Sequence, residues 1–156
     1  MPRDPHPVST DIDEYCCHAP VQVRFKDLDA MGHVNNAVYF TYFELGREAY
    51  MAAIDYPDPG FGEIFDRFPF ILAELSCQFR LPIMMDDRVT AHIRVDRFGT
   101  KSWGFEYLLT RDADGAALAT GRSTQVFFDY RDRTSLPVPD WFMKAVQEFE
   151  GRPIAG

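Results

Sequence analysis

The sequence is short of cysteines, of cations and of long apolar runs, and each shortage removes a class of protein. Cysteine occurs three times in 156 residues, as the neighbours Cys16 and Cys17 and the distant Cys77. No C-x-x-C pair and no spaced framework appears, which argues against a disulfide scaffold and for a reducing, cytoplasmic setting. Lys and Arg number 16 against 24 Asp and Glu, a formal net charge of -8. Nucleic-acid backbones are held by clustered cations, so nucleic acid is not expected as a partner; a small anionic ligand, which needs only a few local cations, stays open. No stretch approaches the roughly 18 apolar residues of a membrane span, and the N-terminal segment MPRDPHPVSTDIDEYCCHAP lacks the apolar region of a secretory signal. His6, His18, His33 and His92 have no metal-ligand spacing, so no catalytic metal is expected. A G-x-S-x-G elbow, a phosphate loop and a G-x-G-x-x-G turn are also missing.

What is present fits one domain of ordinary size. Aromatic residues make up 15% of the chain, with fourteen Phe and seven Tyr, which predicts a core built on large rings. Residues 1–20, rich in proline and acids, read as an extended or disordered extension in which Tyr15 and the cysteines can pack locally; residues 21–156 read as the domain. Val21, Val23 and Phe25 alternate with Gln22, Arg24 and Lys26, the period of a half-buried strand. The turn-forming segment DLDAMGHVNN follows and leads into AVYFTYFELGREAYMAAI, helical in spacing and apolar nearly all round, which predicts cover on most sides. Asn35 or Asn36 is the natural N-cap. Beyond the link DYPDPGFG come strand-like stretches at 71–79, 89–95, 103–109 and 117–130, read as a meander with turns at Phe98–Lys101 and Asp114-Gly115. A short helix after Pro139 carries Phe142, Ala145, Val146 and Phe149 on one face and stops at Gly151. One apolar helix and an antiparallel sheet with one face to bury predict an α+β fold, a curved sheet wrapped around the helix.

The densest chemical constellation is Asp27, Asp29, His33, Asn35 and Asn36 at the strand-to-helix junction. A helix N-terminus leaves backbone N–H groups unpaired and carries partial positive charge, so it can stabilise an oxyanion on a carbonyl. A carboxylate just upstream can attack that carbonyl or take a proton from water. The plainer reading is a capped turn, with Asp29 and Asn36 holding the loop. Asp27, two residues from Asp29, would share its face in an extended chain; it reads first as a solvated strand end and second as a carboxylate that tunes its neighbour. His33 can orient water or a carbonyl, or simply hydrogen-bond within the loop.

The stretch RFKDLDAMGHVNNAVYFTYFELGREAY resembles the signature of the hot-dog-fold acyl-CoA thioesterases, in the group of the 4-hydroxybenzoyl-CoA thioesterases and the H-V-N-N acyl-CoA thioesterases. The resemblance implies a hot-dog fold and hydrolysis of an acyl-CoA to free acid and coenzyme A. It implies Asp29 as nucleophile or general base, the Asn36 N–H as the group that polarises the carbonyl, and His33 at the motif's histidine position. It places Lys101 and Ser102 near the coenzyme A phosphates; Arg97 and Arg94, nearby in sequence, can help, and the plainer reading of these residues is a polar hairpin tip. It further implies a homodimer or homotetramer with active sites between copies, and no cofactor beyond the coenzyme A of the substrate. Related plant thioesterases carry Asn where this chain has Met31, so their Asn/His mechanism does not transfer directly. Two rivals remain: a hot-dog enoyl-CoA hydratase, whose D-x-N-P-x-H spacing Asp29 and His33 do not match, and a non-catalytic thioester-binding module.

Overall fold

The computed structural model describes residues 6–54 and 70–156. Its strands are β1 (Cys17–Val21), β2 (Phe70–Phe79), β3 (Val89–Phe98), β4 (Ser102–Arg111), β5 (Ala117–Asp129) and the short β6 (Thr134–Ser135). The helices are α1 (Asn36–Ala53) and α2 (Asp140–Glu150), with 3-10 turns at Ile12–Glu14 and Phe25–Asp27. The proline-rich link DYPDPGFG lies outside the described residues.

The strands form one antiparallel sheet in the order β1-β3-β4-β5-β2, with β6 paired to the end of β5. The meander expected after α1 therefore holds for β3, β4 and β5 but not for β2, which pairs with β5 at the far edge. β1 and β2 are the two edges, and α1 lies between them in the chain, packing on β1, β3 and β2. This is the hot-dog arrangement, a curved antiparallel sheet closed around a helix.

β1 also departs from expectation. The strand ends at Val21, where the sequence pattern has it begin, and Phe25 sits in a 3-10 turn with 82% of its surface exposed. The alternation is real but extends the other way, with Cys17, Ala19 and Val21 buried. Pro20 disguises it: proline cannot donate to a ladder, yet an edge strand tolerates it. The extension upstream is not wholly loose either. Tyr15 is buried, donates its hydroxyl to the Ser9 carbonyl at 2.7 Å, and lies under the Arg94 guanidinium.

α1 buries Tyr39, Tyr42, Phe43, Gly46 and Tyr50, the i, i+3, i+4, i+7 face expected of an amphipathic helix. Phe43 stacks on Tyr107 with ring centroids 4.5 Å apart. Contrary to the expected cover on most sides, the described residues cover only this face. Ala37, Thr41, Glu44, Leu45 and Glu48 stay exposed, and Val38 and Phe40 are half-buried. Rings fill the rest of the core: Trp103 packs on Phe127 at 4.7 Å and on Phe142 of α2 at 4.9 Å. α2 stops at Gly151, whose left-handed backbone (φ 66) suits a residue without Cβ. The Glu150 carboxylate before it accepts from the Tyr50 hydroxyl and the Val95 N–H, both at 2.8 Å, and so ties α2 to α1 and β3.

Candidate active site

The segment between β1 and α1 folds into a miniature hairpin. The Asp29 N–H donates to the His33 carbonyl at 2.7 Å, the Asn35 N–H donates to the Asp27 carbonyl at 2.8 Å, and Leu28 faces Val34 between them. Gly32 makes the turn with φ 79, a conformation that costs little without a side chain. The hairpin leans on the β2–β3 connection: the Val34 N–H donates to the Ile83 carbonyl at 2.9 Å, and His33 bridges to Met84. A strand-like pairing thus brings the two ends of a ten-residue motif together, with Asp29 on one arm and the start of α1 on the other.

Asp29 is exposed. Its Oδ1 accepts from the Met31 N–H at 2.8 Å and more weakly from the His33 N–H at 3.3 Å. Among the described residues no ion pair engages it, and Oδ2 has no hydrogen-bond donor. The turn-capping reading is therefore correct for one carboxylate oxygen and leaves the other available. At the helix start, the N-cap is Asn35, whose Oδ1 accepts from the Ala37 N–H at 2.9 Å. The next N–H back, that of Asn36, has no acceptor among the described residues, so a positively polarised donor stands open at the helix tip. His33 is half-buried, and its backbone rather than its ring makes the contacts that hold it.

Asp27 matches neither reading the sequence offered. It is 1% exposed, in the 3-10 turn and not in an extended strand, so it does not share a face with Asp29. Oδ2 accepts from the Arg24 N–H and the Tyr42 hydroxyl, each at 2.9 Å, and Oδ1 accepts from the Arg24 guanidinium at 2.9 Å. Burial pushes its pKa up, but the Arg24 side chain, the Arg24 backbone and the Tyr42 hydroxyl outweigh that and hold the carboxyl below its usual range. Arg24 and Tyr42 were not read as site residues. The only sequence hint is an arginine three residues before an aspartate, too common a pairing to stand out.

The residues expected near coenzyme A lie elsewhere in the single chain. Lys101 and Ser102 sit where β3 turns into β4, and the Lys101 ammonium donates to the Ser135 hydroxyl at 3.2 Å. The Asp29 hairpin abuts the segment that enters β3 at its opposite end, so the ten-residue length of β3 separates them, about 30 Å at ordinary strand rise. Arg97 is held by Asp96 at 3.2 Å and donates to the Thr124 hydroxyl at 2.6 Å. Arg94 pairs with Glu106 at 2.7 Å and with Glu14 at 3.4 Å, so it is committed within its own chain and is not at the Asp29 hairpin. Among the described residues no cluster of three or more His, Cys, Asp or Glu could hold a metal, and no helix is long and apolar enough to cross a membrane.

Residues 23–146 match the family model of the thioesterase-like superfamily. The chain is 24% identical over 116 residues to the long-chain acyl-CoA thioesterase FadM of Escherichia coli, covering 74% of this chain and 86% of that protein. Its fold superposes with a TM-score of 0.79 on a Thermus thermophilus thioesterase solved with coenzyme A and zinc, at 30% identity over 91% of this chain and 99% of that one. A 1,4-dihydroxy-2-naphthoyl-CoA thioesterase from Synechocystis shares the fold at a TM-score of 0.73 and 17% identity, over 83% of this chain and 94% of that one. The matched model spans the hairpin, both helix termini and the central strands, and the chain belongs to the thioesterase-like superfamily of hot-dog thioester hydrolases.

Proposed function

We propose that this protein hydrolyses acyl-CoA thioesters to the free acid and coenzyme A. The observation that carries the reading is the pairing of an exposed Asp29 carboxylate, free of any ion pair among the described residues, with the unpartnered Asn36 N–H at the tip of α1, both fixed by one hairpin. With the thioester carbonyl oxygen on the Asn36 N–H, Asp29 either takes a proton from a water that attacks the carbonyl carbon or attacks that carbon itself. Negative charge grows on the carbonyl oxygen, where the helix tip stabilises it. The C–S bond then breaks and coenzyme A leaves as its thiolate; where Asp29 is the nucleophile, the acyl group stays on its carboxylate as a mixed anhydride that water then hydrolyses to the free acid. His33 closes the hairpin and stands beside the reacting groups.

The reading includes assembly at least as a dimer, with each site completed by a second copy. Three features support this. Among the described residues β2 pairs on one side only, with Leu72 43% exposed along it. The outward face of α1 is left uncovered by the described residues. Lys101 and Ser102 lie too far along the sheet to serve the Asp29 of their own chain, so phosphates held by them, with Arg97 behind, belong to a ligand that crosses between copies. Three free thiols suit the reducing cytoplasm as the setting.

A thiol-release screen over short, long and aryl acyl-CoAs tests the activity. Asp29→Asn keeps the size and the turn-capping oxygen and loses the base, so turnover should fall by about 10³-fold with the fold intact. A variant that releases thiol at the parent rate rejects Asp29, and a parent protein that releases none with any acyl group points to a binding module instead.

A further inference from the structure

Resting on that reading, we infer that Asp27, through Tyr42, is the positioning residue that sets Asp29 and the open Asn36 N–H against each other. Catalysis at a carbonyl needs the attacking group and the oxyanion donor to stay in fixed relation, and misplacement by about 1 Å costs on the order of 10²-fold in rate. In this chain Asp29 lies on a loop and Asn36 on a helix, so something must fix one to the other. The backbone bonds of the hairpin join its two arms at the helix N-cap, and a contact farther along the helix is needed to hold them against its axis.

Asp27 supplies that missing connection. Its carbonyl accepts from the Asn35 N–H, the residue before Asn36, at 2.8 Å. Its carboxylate accepts from the hydroxyl of Tyr42, at 2.9 Å. Tyr42 lies about two turns into α1 and is itself 1% exposed, packed into the core. Arg24 closes the opposite side, with its N–H and guanidinium both on the same carboxylate. The aspartate is therefore clamped between the incoming chain and the body of the helix, and a single residue, Leu28, separates it from Asp29. A charge this buried is costly to keep unless every oxygen is paired, and here each oxygen accepts at least two hydrogen bonds. The Tyr42 hydroxyl, at the end of a ring that would pack as well without it, joins the Asp27 carboxylate to the body of the helix beyond its N-cap.

The test compares the full-length protein with Tyr42→Phe, Asp27→Asn, the double variant and Asp29→Asn, at a temperature well below each melting midpoint. Tyr42→Phe should lower kcat about tenfold and leave KM within about twofold, because substrate contacts are untouched. Asp27→Asn should fall further, and the double variant no lower than Asp27→Asn, since both cut one connection. Should Asp27→Asn fail to fold, Tyr42→Phe alone decides. Amide hydrogen exchange gives a readout without activity: the Asn35 N–H should exchange about tenfold faster in Tyr42→Phe while amides of β4 keep their protection. A folded Tyr42→Phe protein with parental kcat, a change confined to KM, or unchanged Asn35 exchange each overturns the inference. Thiol release by Asp29→Asn equal to the parent's rejects Asp29 as the reacting carboxylate, and a parent that releases no thiol sinks the thioesterase reading; in either case Asn35 exchange still decides whether Asp27 and Tyr42 hold the hairpin.

Discussion

His92, on β3, faces His18 across the β1–β3 pair with their Nδ1 atoms 2.6 Å apart, and its Nε2 lies 2.8 Å from the Thr110 hydroxyl. A contact that short needs one ring to donate and the other to accept, so both cannot carry the proton at that edge. His92 is 5% exposed. Burial, and then the neighbouring His18, lower its pKa to about 4, with Asp112 opposing. A histidine that is harder to protonate folded than unfolded contributes stability that is whole above the unfolded value of about 6.5 and is lost as pH falls toward 4. The loss is at most about 3 kcal/mol over that window. Denaturant titrations at pH 7 and pH 4.5 should show it, and His92→Gln should flatten the difference; a variant as acid-sensitive as the parent places the effect elsewhere. A smaller effect belongs to Asn35, whose side chain caps the Ala37 N–H. Asn35→Ala should cost about 1 kcal/mol by the same titration and, on the proposed mechanism, reduce turnover, since it loosens the end of the helix that carries the proposed oxyanion donor. Both residues show what the sequence can tell at this scale. Asn35 was legible as a cap because capping is a local event between neighbours in the chain. The environment of His92 was not, because its partner His18 lies 74 residues away.

At the scale of elements, alternation made β3, β4 and β5 readable. Their turns, at 98–102 and 111–117, fall where glycine and turn formers cluster. α2 and its stop at Gly151 were equally plain. The errors have a common cause: the sequence pattern gives a strand its faces but not its neighbours. β2 reads as the next strand of a meander, yet it pairs with β5 because α1 must carry the chain from one edge of the sheet to the other before β2 begins. β4 is buried on both faces, since its outward Glu106 lies beneath Arg94 and Arg122, each at 2.7 Å. The hairpin before α1 is the element that matters most for chemistry. Its turn residues were visible, but the fate of its two aspartates was not: one spacing places Asp27 inside and Asp29 outside because the chain there is a 3-10 turn and not a strand.

For the whole molecule, the arrangement of the sheet is the argument for assembly. An edge strand of ten residues with exposed Leu72 invites pairing, and a two-fold axis at such an edge is the commonest closed solution. Leu72→Lys should weaken that pairing. By light scattering the parent should be a dimer or larger and the variant a monomer, with thiol release falling alongside. A monomeric variant that keeps the parent rate argues that one chain holds the complete site.

Family and fold class were legible in the sequence alone, because they reside in local patterns: the D-L-D-A-M-G-H-V-N-N turn, a helix of apolar spacing and strands with a two-residue period. Tertiary structure decided which groups meet. Only packing buries Asp27 against Tyr42 and leaves the second oxygen of Asp29 open. Only the order of strands sets Lys101 a strand's length from the hairpin. Contacts between distant parts of a chain depend on how elements cross, and the pattern within each element holds no record of that crossing.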